Sequence, residues 1–425
     1  MIATVMEKHK WKIRILFGCA VGLYFFANFQ RNAVPGPIFS RLQMDLHGTA
    51  SQISALGSCF MYVYAVSQLA AGFMADRFGG MRVIAWGSSF FCLGALLFPF
   101  AGFWPLLYLA RILTGLGASS IYLSLVKETG KLFPGKFGRA FGCVMLIGYA
   151  GGIAANTPFI SGVELFGWRS LLMLAAFLMI AVYTLFLLTV FSTPKQETDK
   201  SVLLHPRTFL GVWKSRQNFC IILVSSLSFG IYYVYQTVIG KKFLEDFCSM
   251  DLHHAGWVLT ASGALSCFSS FLSPFLCDLA GKKRKPFLLF MGGGTLFAML
   301  LFAGGIAVDC RGAFLYLTAI FFLTCAANMT PVFLALMAES NPAGVLGVTV
   351  STGNFTAYIF VALLGNLTGA LMDIFPPERV RELLVYGQNS YLCVFGLFLI
   401  LALPGFIASL FIRETGGKPR SEAGS

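Results

Sequence analysis

Twelve long apolar segments limit the possible folds of this chain more than any other feature. Each is roughly 20 residues long, the length that an α-helix needs to cross the hydrocarbon core of a bilayer. Only 12% of the 425 residues are charged, about half the share found in a soluble domain. We therefore expect an all-α integral membrane protein with twelve transmembrane helices. The predicted spans are residues 14–37, 51–74, 83–103, 104–126, 138–161, 170–193, 218–240, 253–275, 286–308, 313–337, 346–372 and 391–413.

The distribution of basic residues fits an even number of spans. Of the 31 Lys and Arg residues, 22 fall in the segments that twelve spans place on one side, 7 fall on the other side, and two lie within spans. Cytoplasmic loops carry the excess of Lys and Arg, so we expect both termini in the cytoplasm and a multi-pass protein of a plasma or inner membrane. The longest polar segment, residues 194–217, separates two predicted six-helix halves, 1–193 and 218–425.

The two halves resemble each other weakly. Asp76 after span two and Asp278 after span eight each precede a glycine by three residues in a short turn. Two six-helix halves that resemble each other in this way are typical of a secondary transporter.

Pro158 in span five is predicted to kink its helix. We also expect small residues spaced four apart to let helix backbones approach closely, at Gly148 and Gly152 in span five and at Gly365 and Gly369 in span eleven.

Several short segments resemble motifs of the major facilitator superfamily, and the resemblance extends over almost the whole chain. Residues 72–82 read GFMADRFGGMR, which is similar to the GxxxDRxGxxx signature between spans two and three of that superfamily. The loop around Asp278 resembles its degenerate second copy. Span four contains RILTGLG from Arg111 onward, span five begins with GRAFG around Arg139, and residues 411–415 read FIRET, all similar to family patterns.

This resemblance implies two six-helix bundles, transport by alternating access and a monomer. It also implies a cytoplasmic gate, in which the carboxylate of Asp76 acts as a latch at the N-terminus of span eleven near Gly347; the alternative is an Asp that only caps its own turn. Gly80 and Met81 depart from the signature, which usually has basic residues there. The residues assigned to the gate are Gly72, Asp76, Arg77, Gly79, Arg82, Arg139 and Asp278.

Span one resembles the branch of the superfamily that contains organophosphate antiporters and organic-anion symporters. The shared feature is an arginine in the outer part of the span, here Arg31. Phosphate antiporters have a second arginine in span seven, whereas residues 228–236 of this chain, SFGIYYVYQ, contain no basic residue. The resemblance therefore favours a small organic anion over exchange of phosphate esters by a symmetric arginine pair.

Two arginines lie inside predicted spans, Arg31 in span one and Arg111 in span four. A charge within a bilayer costs about 2.5–3.5 kcal/mol on insertion scales, so such a residue is a candidate for function. Helix geometry places both guanidinium groups at similar heights in the outer half of the membrane, where no carboxylate is expected. A guanidinium binds carboxylate or phosphate well, so we predict that both contact an anionic substrate. The alternative for Arg111 is that it bonds backbone carbonyls and only fixes span four.

Polar side chains in three later spans are further candidates for the substrate cavity. Their alternative roles are hydrogen bonds between helices and, for Tyr235, an aromatic belt at the outer interface. Lys241 and Lys242 are expected to extend to the outer surface. The candidate substrate-binding residues are Tyr232, Tyr233 and Gln236 in span seven, Asn328 in span ten and Asn354 in span eleven.

The sequence has no motif for a metal, a nucleotide cofactor or nucleic acid, since it contains no CxxC pair, P-loop or HExxH. We therefore predict a secondary carrier for a small organic anion, a carboxylate or phosphorylated metabolite, and not an enzyme. Its expected partners are the substrate and the lipid bilayer. One alternative is an efflux carrier for amphipathic drugs, favoured by the 44 phenylalanines. Another is a sensor that keeps the fold without transporting.

Overall fold

The computed structural model describes residues 10–133, 137–191, 211–341, 346–380 and 383–417, of which residues 10, 73, 76, 137–139, 346, 347 and 383 are described by their backbone alone. Nearly all of this chain is helical. The helices are α1 Lys10–Ala33, α2 Phe39–Leu46, α3 Ala50–Phe78, α4 Gly80–Phe100, α5 Trp104–Leu132, α6 Phe137–Ala154, α7 Thr157–Phe166, α8 Trp168–Val190, α9 Arg216–Val234, α10 Gly240–Asp246, α11 Leu252–Leu279, α12 Lys285–Ala307, α13 Ala313–Ala327, α14 Thr330–Ser340, α15 Leu346–Asp373 and α16 Gln388–Leu410. Two three-residue strands, β1 Glu378–Val380 and β2 Leu383–Val385, pair antiparallel between spans eleven and twelve.

Twelve helical segments of the described chain are long and apolar enough to cross a membrane. Many large apolar side chains are exposed on them, as with Phe271 at 83% and Phe314 at 84%. Lipid tails cover such surfaces, while backbone groups are satisfied within each helix. The predicted fold class, an all-α membrane protein with twelve spans, is confirmed. The cytoplasmic position of both termini stays a prediction.

Three spans contain a break or a distortion of the helix. Span five divides into α6 and α7 at Asn156, and Pro158 lies in the first turn of α7. Span ten divides into α13 and α14 at Asn328 and Met329. In span seven a π-helical turn, Tyr235–Ile239, joins α9 to α10. Breaks in spans are tolerated where neighbouring groups satisfy the freed backbone, and π-helical turns are frequent at functional sites.

Span seven is longer than the sequence predicted, since its helix continues through α10 to Asp246. The expectation that Lys241 and Lys242 extend to the outer surface is wrong, because their side chains are 3% and 2% exposed. Each forms an ion pair with an acid one helical turn later. Phe243, directly after the lysines, packs into a fully buried aromatic cluster with Phe302, Tyr316, Tyr391 and Phe395. The apolar burial and the ion pairs together stabilise the extension.

By its internal contacts the chain divides into two compact units, one of Met1–Ile38 with Cys59–Leu203 and the other of Phe39–Ser58 with Leu204–Ser425. Besides the aromatic cluster, the second unit has another hydrophobic core. This core includes Ile221, Leu288 and Leu336. The predicted halves, 1–193 and 218–425, remain a prediction. Residues 194–210 of the predicted linker lie outside the described chain.

The four glycines that the sequence predicts at helix contacts lie close to neighbouring helices within each unit. In the first unit a Cβ on Gly148 would lie 2.1 Å from the ring of Tyr24, and one on Gly152 would lie 3.1 Å from the Asn32 amide. In the second, a Cβ on Gly365 would lie 2.7 Å from Ser58 Oγ, and one on Gly369 would lie 2.8 Å from the carbonyl oxygen of Ala50. All four glycines face a neighbouring helix at distances that leave little or no room for a side chain.

Candidate functional site

Arg31 lies half-buried in the last turn of α1. Its Nη2 donates a 2.7 Å hydrogen bond to Asn28 Oδ1. Asn28 is itself held in place, because its Nδ2 donates to the carbonyl of Tyr24 at 3.0 Å and its own carbonyl accepts from Asn32 Nδ2 at 2.7 Å. The guanidinium of Arg31 is thus positioned by a neutral amide, and α1 itself contains no acidic residue.

Arg111 in α5 is fully buried, with 1% of its surface exposed. Its two terminal nitrogens donate to the carbonyls of Gln30 at 3.1 Å and Val34 at 3.2 Å, at the end of α1. Its guanidinium also lies 4.6 Å from the ring centroid of Phe60, a distance at which a cation is attracted to an aromatic face. This geometry matches the alternative role of Arg111, a residue that bonds backbone carbonyls and fixes one helix against another.

The structure brings the two arginines to the same end of α1. Arg111 bonds the carbonyl of Gln30, the residue directly before Arg31. Arg31 is the more accessible of the two, since it is half-buried whereas Arg111 is fully buried. A guanidinium group can donate paired hydrogen bonds to a carboxylate or a phosphate.

A second polar group lies in the other unit, where spans seven, eight and ten meet. The hydroxyl of Tyr232 in α9 faces Ser262 and Ser266 of α11 and Asn328 at the break of span ten. Ser262 Oγ and Thr324 Oγ1 are 2.9 Å apart. These hydroxyls and amides are buried among apolar helices, and they offer both donors and acceptors for a polar ligand.

The other candidates of spans seven and eleven have different surroundings. Gln236, in the π-helical turn, donates from Nε2 to the carbonyl of Leu259 at 2.9 Å. The ring of Tyr233 packs 5.4 Å from that of Phe229, and Asn354 is half-buried in α15. Tyr235 is fully buried beside Phe302, so its assignment to an aromatic belt is wrong. The structure thus joins Tyr232 and Asn328 in one group and places Gln236 one turn from it.

The sequence analysis missed a buried ion pair at the end of span seven. Lys242 Nζ lies 2.8 Å from Asp246 Oδ1 and also donates to the carbonyl of Leu384 in β2. Asp246 Oδ2 accepts from the backbone N–H of Tyr386 and from the hydroxyl of Tyr391, both at 2.9 Å. The i,i+4 spacing of Lys and Asp was the only sequence signal for the pair. The network fixes the β1–β2 hairpin on span seven.

Five of the seven predicted gate residues, Gly72, Asp76, Arg77, Gly79 and Arg82, lie at or next to the turn between α3 and α4. Gly79 has a φ of 89°, a left-handed conformation that favours glycine, and this residue ends α3. Gly72 faces Leu123 of span four, where a Cβ would lie 3.3 Å from Leu123 Cδ1. Arg77 is exposed and lies over the ring of Phe78, and Arg82 is half-buried. The side chains of Asp76 and Arg139 lie outside the described part of the chain, so the latch stays a prediction.

Glu128 of α5 contacts the turn between α3 and α4, and the sequence analysis did not identify it. Its carboxylate is fully buried in α5, and Oε1 accepts from the backbone N–H of Gly80 at 3.0 Å, at the start of α4. A Cβ on Gly80 would lie 2.8 Å from Cγ and Oε1 of Glu128. This contact explains why glycine stands where the family signature usually has a basic residue. In addition, Lys127 Nζ donates to the carbonyl of Ala75 at 2.8 Å, near the end of α3.

The equivalent turn after span eight is built differently. Asp278 is exposed, and its backbone carbonyl accepts from Gly281, which has a φ of 70°. Arg284 is buried and donates two hydrogen bonds to Glu339 Oε1 of span ten, at 3.0 and 3.2 Å. Arg284 and Glu339 are separated by 55 residues, and no local pattern indicated that they pair.

Among the described residues, no group of three or more His, Cys, Asp and Glu side chains could hold a metal ion. The eleven cysteines all lie in the described ranges and are free thiols. The groups that the structure brings together at the candidate site are guanidinium, amide and hydroxyl groups.

Residues 20–366 match the family model described as "Major Facilitator Superfamily". The match spans most of the chain, and the described part of the chain has twelve helices long and apolar enough to cross a membrane. The chain belongs to the Major Facilitator Superfamily, and it is a multi-pass membrane protein.

Two curated relatives match parts of the chain. A probable sulfoacetate transporter, SauU, of Cupriavidus necator is 29% identical over 166 residues, which cover 38% of each chain. An uncharacterized transporter, YybO, of Bacillus subtilis is 30% identical over 125 residues, which cover 29% of this chain and 28% of the relative. The chain thus matches well under half the length of either relative.

Solved structures of transporters share the fold over nearly the whole chain. A bacterial homologue of the human lysosomal transporter Spinster has a TM-score of 0.74 at 14% identity, and the match covers 97% of this chain and 99% of that one. The nucleoside transporter NupG has a TM-score of 0.67 at 16% identity, with 94% and 100% covered. A D-xylose–proton symporter has a TM-score of 0.70 at 14% identity, with 96% and 100% covered. At these identities the similarity concerns the fold alone.

Proposed function

We propose that the protein transports a small organic anion by alternating access and that Arg31 binds its anionic group. The observation that carries this proposal is a half-buried guanidinium in span one, oriented by the neutral amide of Asn28 at 2.7 Å. A cation in this position stabilises an anionic group by charge-assisted hydrogen bonds. Arg111 adds positive potential at the same end of α1, while its donors are engaged by backbone carbonyls.

The polar group around Tyr232 and Asn328, within the second unit, is proposed as a separate hydrogen-bonding site for a polar solute. Its hydroxyl and amide groups can bond to hydroxyl or carboxylate groups of such a solute. The partial match to a probable sulfoacetate transporter supports an organic anion, because sulfoacetate carries a carboxylate and a sulfonate. The substrate class proposed is therefore a small carboxylate, sulfonate or phosphorylated metabolite.

Uptake and counterflow in proteoliposomes test this function directly. The substrate panel contains carboxylates, sulfonates, sugar phosphates, neutral solutes and cationic dyes. The variants are Arg31→Ala, Arg31→Lys and Arg311→Ala, the last removing an arginine that is 61% exposed and ion-paired with Asp309. We expect Arg31→Ala to lower anion transport at least about 30-fold, the effect of losing about 2 kcal/mol of charged contact. Arg31→Lys keeps part of the activity, and Arg311→Ala keeps all of it.

The melting temperature of each variant is measured in the same detergent, so that loss of transport is separated from loss of folding. Anion transport that is unchanged in a folded Arg31→Ala protein contradicts the assignment of Arg31. Transport of dyes or neutral solutes without any anion contradicts the proposed substrate class and favours the efflux alternative.

A further inference from the structure

A cavity of about 910 Å³ opens among the ends of spans seven, nine, ten and twelve, within the second unit. It is lined by the start of α9 at Ser215–Gln217, by Lys285, by the end of α14 at Glu339 and Ser340, and by the segment Leu410–Thr415 that follows α16. These helix ends lie on the side that the distribution of basic residues predicts to be cytoplasmic. The cavity is separate from the polar group around Tyr232, which lies farther along spans seven and ten.

Three cations surround the cavity, Arg216, Lys285 and Arg413. The guanidinium of Arg216 stacks 4.9 Å from the ring centroid of Phe411, which leaves its N–H groups free to donate in the plane of the guanidinium. Lys285 Nζ donates to the carbonyl of Leu410 at 3.0 Å and retains two further protons. None of the three cations forms an ion pair with a carboxylate anywhere in the described ranges.

The two carboxylates of the cavity are engaged elsewhere. Glu339 is neutralised by Arg284, which is 8% exposed. Glu414 accepts from the backbone N–H groups of Arg284 and Lys285, both at 2.8 Å, and of Thr415 and Gly416, both at 3.0 Å. Burial raises the pKa of Glu414, but these donors outweigh burial and hold the pKa below its usual value. The three cations of the cavity and Arg284 outnumber the two carboxylates by two, so the net charge around the cavity is positive.

The cations are held by the fold rather than by flexible loops. Gln217 and Arg413 bond reciprocally, with Arg413 N donating to Gln217 Oε1 at 2.9 Å and Gln217 Nε2 donating to the Arg413 carbonyl at 3.1 Å. This pair fixes the segment after α16 against the start of α9. Because Lys285 and Arg216 begin helices, the backbone under all three cations is positioned before any ligand arrives.

Exposed apolar side chains continue from the cavity along the membrane-facing surface of spans seven and twelve. Phe219, Ile407, Leu410 and Phe411 are 43%, 50%, 48% and 53% exposed. A cationic cavity at the membrane boundary, joined to an apolar helix face, has the two chemistries of a phospholipid binding site. A soluble phosphate compound needs only the cationic cavity and not the apolar helix face.

We infer that this cavity binds the phosphate-bearing headgroup of an anionic phospholipid, with Arg216, Lys285 and Arg413 contacting the headgroup and the acyl chains lying along Phe219 and Ile407. The site is independent of the proposed substrate site, and nothing in it depends on which solute the protein carries. A free phosphate compound has the same headgroup chemistry, and competition with soluble phosphates distinguishes it from a lipid.

Native mass spectrometry of the purified protein in a neutral detergent counts bound lipid directly. The probes are phosphatidylglycerol and phosphatidylcholine with identical acyl chains, and the competitors are inorganic phosphate and glycerol 3-phosphate. We expect phosphatidylglycerol to bind at least about tenfold more tightly than phosphatidylcholine, as two to three cations near a headgroup imply. The soluble competitors are expected not to displace it.

The double variant Arg216→Ala/Lys285→Ala is expected to lose the preference for phosphatidylglycerol. Its matched control is Lys214→Ala/Lys283→Ala, which removes two exposed charges on the same side of the protein that do not line the cavity. The conservative variant Arg216→Lys is expected to keep most of the preference, which separates a lost charge from a misfolded protein.

Equal binding of the two lipids by the parent protein overturns the inference. So does an equal loss of preference in the double variant and its control, because that result indicates general surface charge. Displacement of the lipid by glycerol 3-phosphate at similar concentrations also overturns it and identifies a site for soluble phosphate compounds.

Discussion

At the scale of single residues, the two arginines within spans have different environments. Arg111 donates to two carbonyls at the end of α1 and is covered by Phe60, while Arg31 is half-buried and held by Asn28. A helix end leaves carbonyls without intrahelical partners, and Arg111 satisfies two acceptors of this segment, at Gln30 and Val34. We therefore propose a structural role for Arg111 and contact with a solute for Arg31.

This difference predicts separate effects of substitution on stability and transport. Arg111→Ala leaves buried carbonyls without their charged donors, at a cost of about 1.5–3 kcal/mol for each bond. We expect a clearly lower melting temperature for Arg111→Ala, while Arg31→Ala melts close to the parent protein. Thermal unfolding in detergent, followed by intrinsic fluorescence, measures both. A fully stable Arg111→Ala protein that has lost anion transport would instead place Arg111 in the substrate site.

At the scale of elements, the beginning of α3 and the end of α15 fit together closely. Asp373 accepts from the backbone N–H groups of Ala50 at 2.9 Å and Ser51 at 2.8 Å, the first two of α3. The next N–H, that of Gln52, donates to Thr49 Oγ1, and the amide of Gln52 bonds back to the Thr49 N–H. The N-terminus of α3 is thus capped both by the Asp373 carboxylate of α15 and by the local capping box of Thr49 and Gln52. Gly369, one turn before Asp373, allows the two backbones to approach.

This packing predicts opposite effects for two glycine substitutions. A Cβ on Gly369 would lie 2.8 Å from backbone atoms of Ala50 and Ser51, so Gly369→Ala forces the helices apart at a cost of about 1–3 kcal/mol. Gly304 in α12 has open space around it, and Gly304→Ala is expected to be neutral or to stabilise by up to about 1 kcal/mol. Melting temperatures at one scan rate compare the variants. Equal melting of Gly369→Ala and the parent would show that the contact is not tight in the membrane protein.

At the scale of the whole molecule, the twelve spans of the described chain predict that both termini lie on one side of the membrane, and the excess of basic residues predicts that this side is the cytoplasm. Epitope tags added before Met1 and after Ser425 are expected to bind antibody only after the cells are permeabilised. A tag inserted after Asp309, between spans nine and ten, is expected to bind antibody on intact cells. Terminal tags that are accessible on intact cells would reverse the topology, and tags on opposite sides would contradict an even number of spans.

The sequence alone determined the class of protein and its spans. Long apolar segments and low charge act locally, because any helix of this length and composition is driven into a bilayer whatever its neighbours are. The turn motif at residues 72–82 could also be recognised from the sequence, because a glycine there allows a local backbone conformation. Gly79 adopts such a conformation, with a φ of 89°. Arg31 and Arg111 were found because a charge within an apolar segment is conspicuous on its own.

The partners of individual residues, in contrast, depend on the tertiary structure. Glu128 reaches Gly80 across 48 residues, and Asp246 meets Tyr391 across 145. No periodicity in the sequence encodes such distant partners. The extension of span seven past Gly240 depends on the same long-range packing, because burial of Phe243 among aromatic rings and the pairing of Lys242 with Asp246 stabilise a segment that looks like a charged loop. Helix formation in the membrane follows from local composition, whereas the partner of a buried charge depends on how the helices pack.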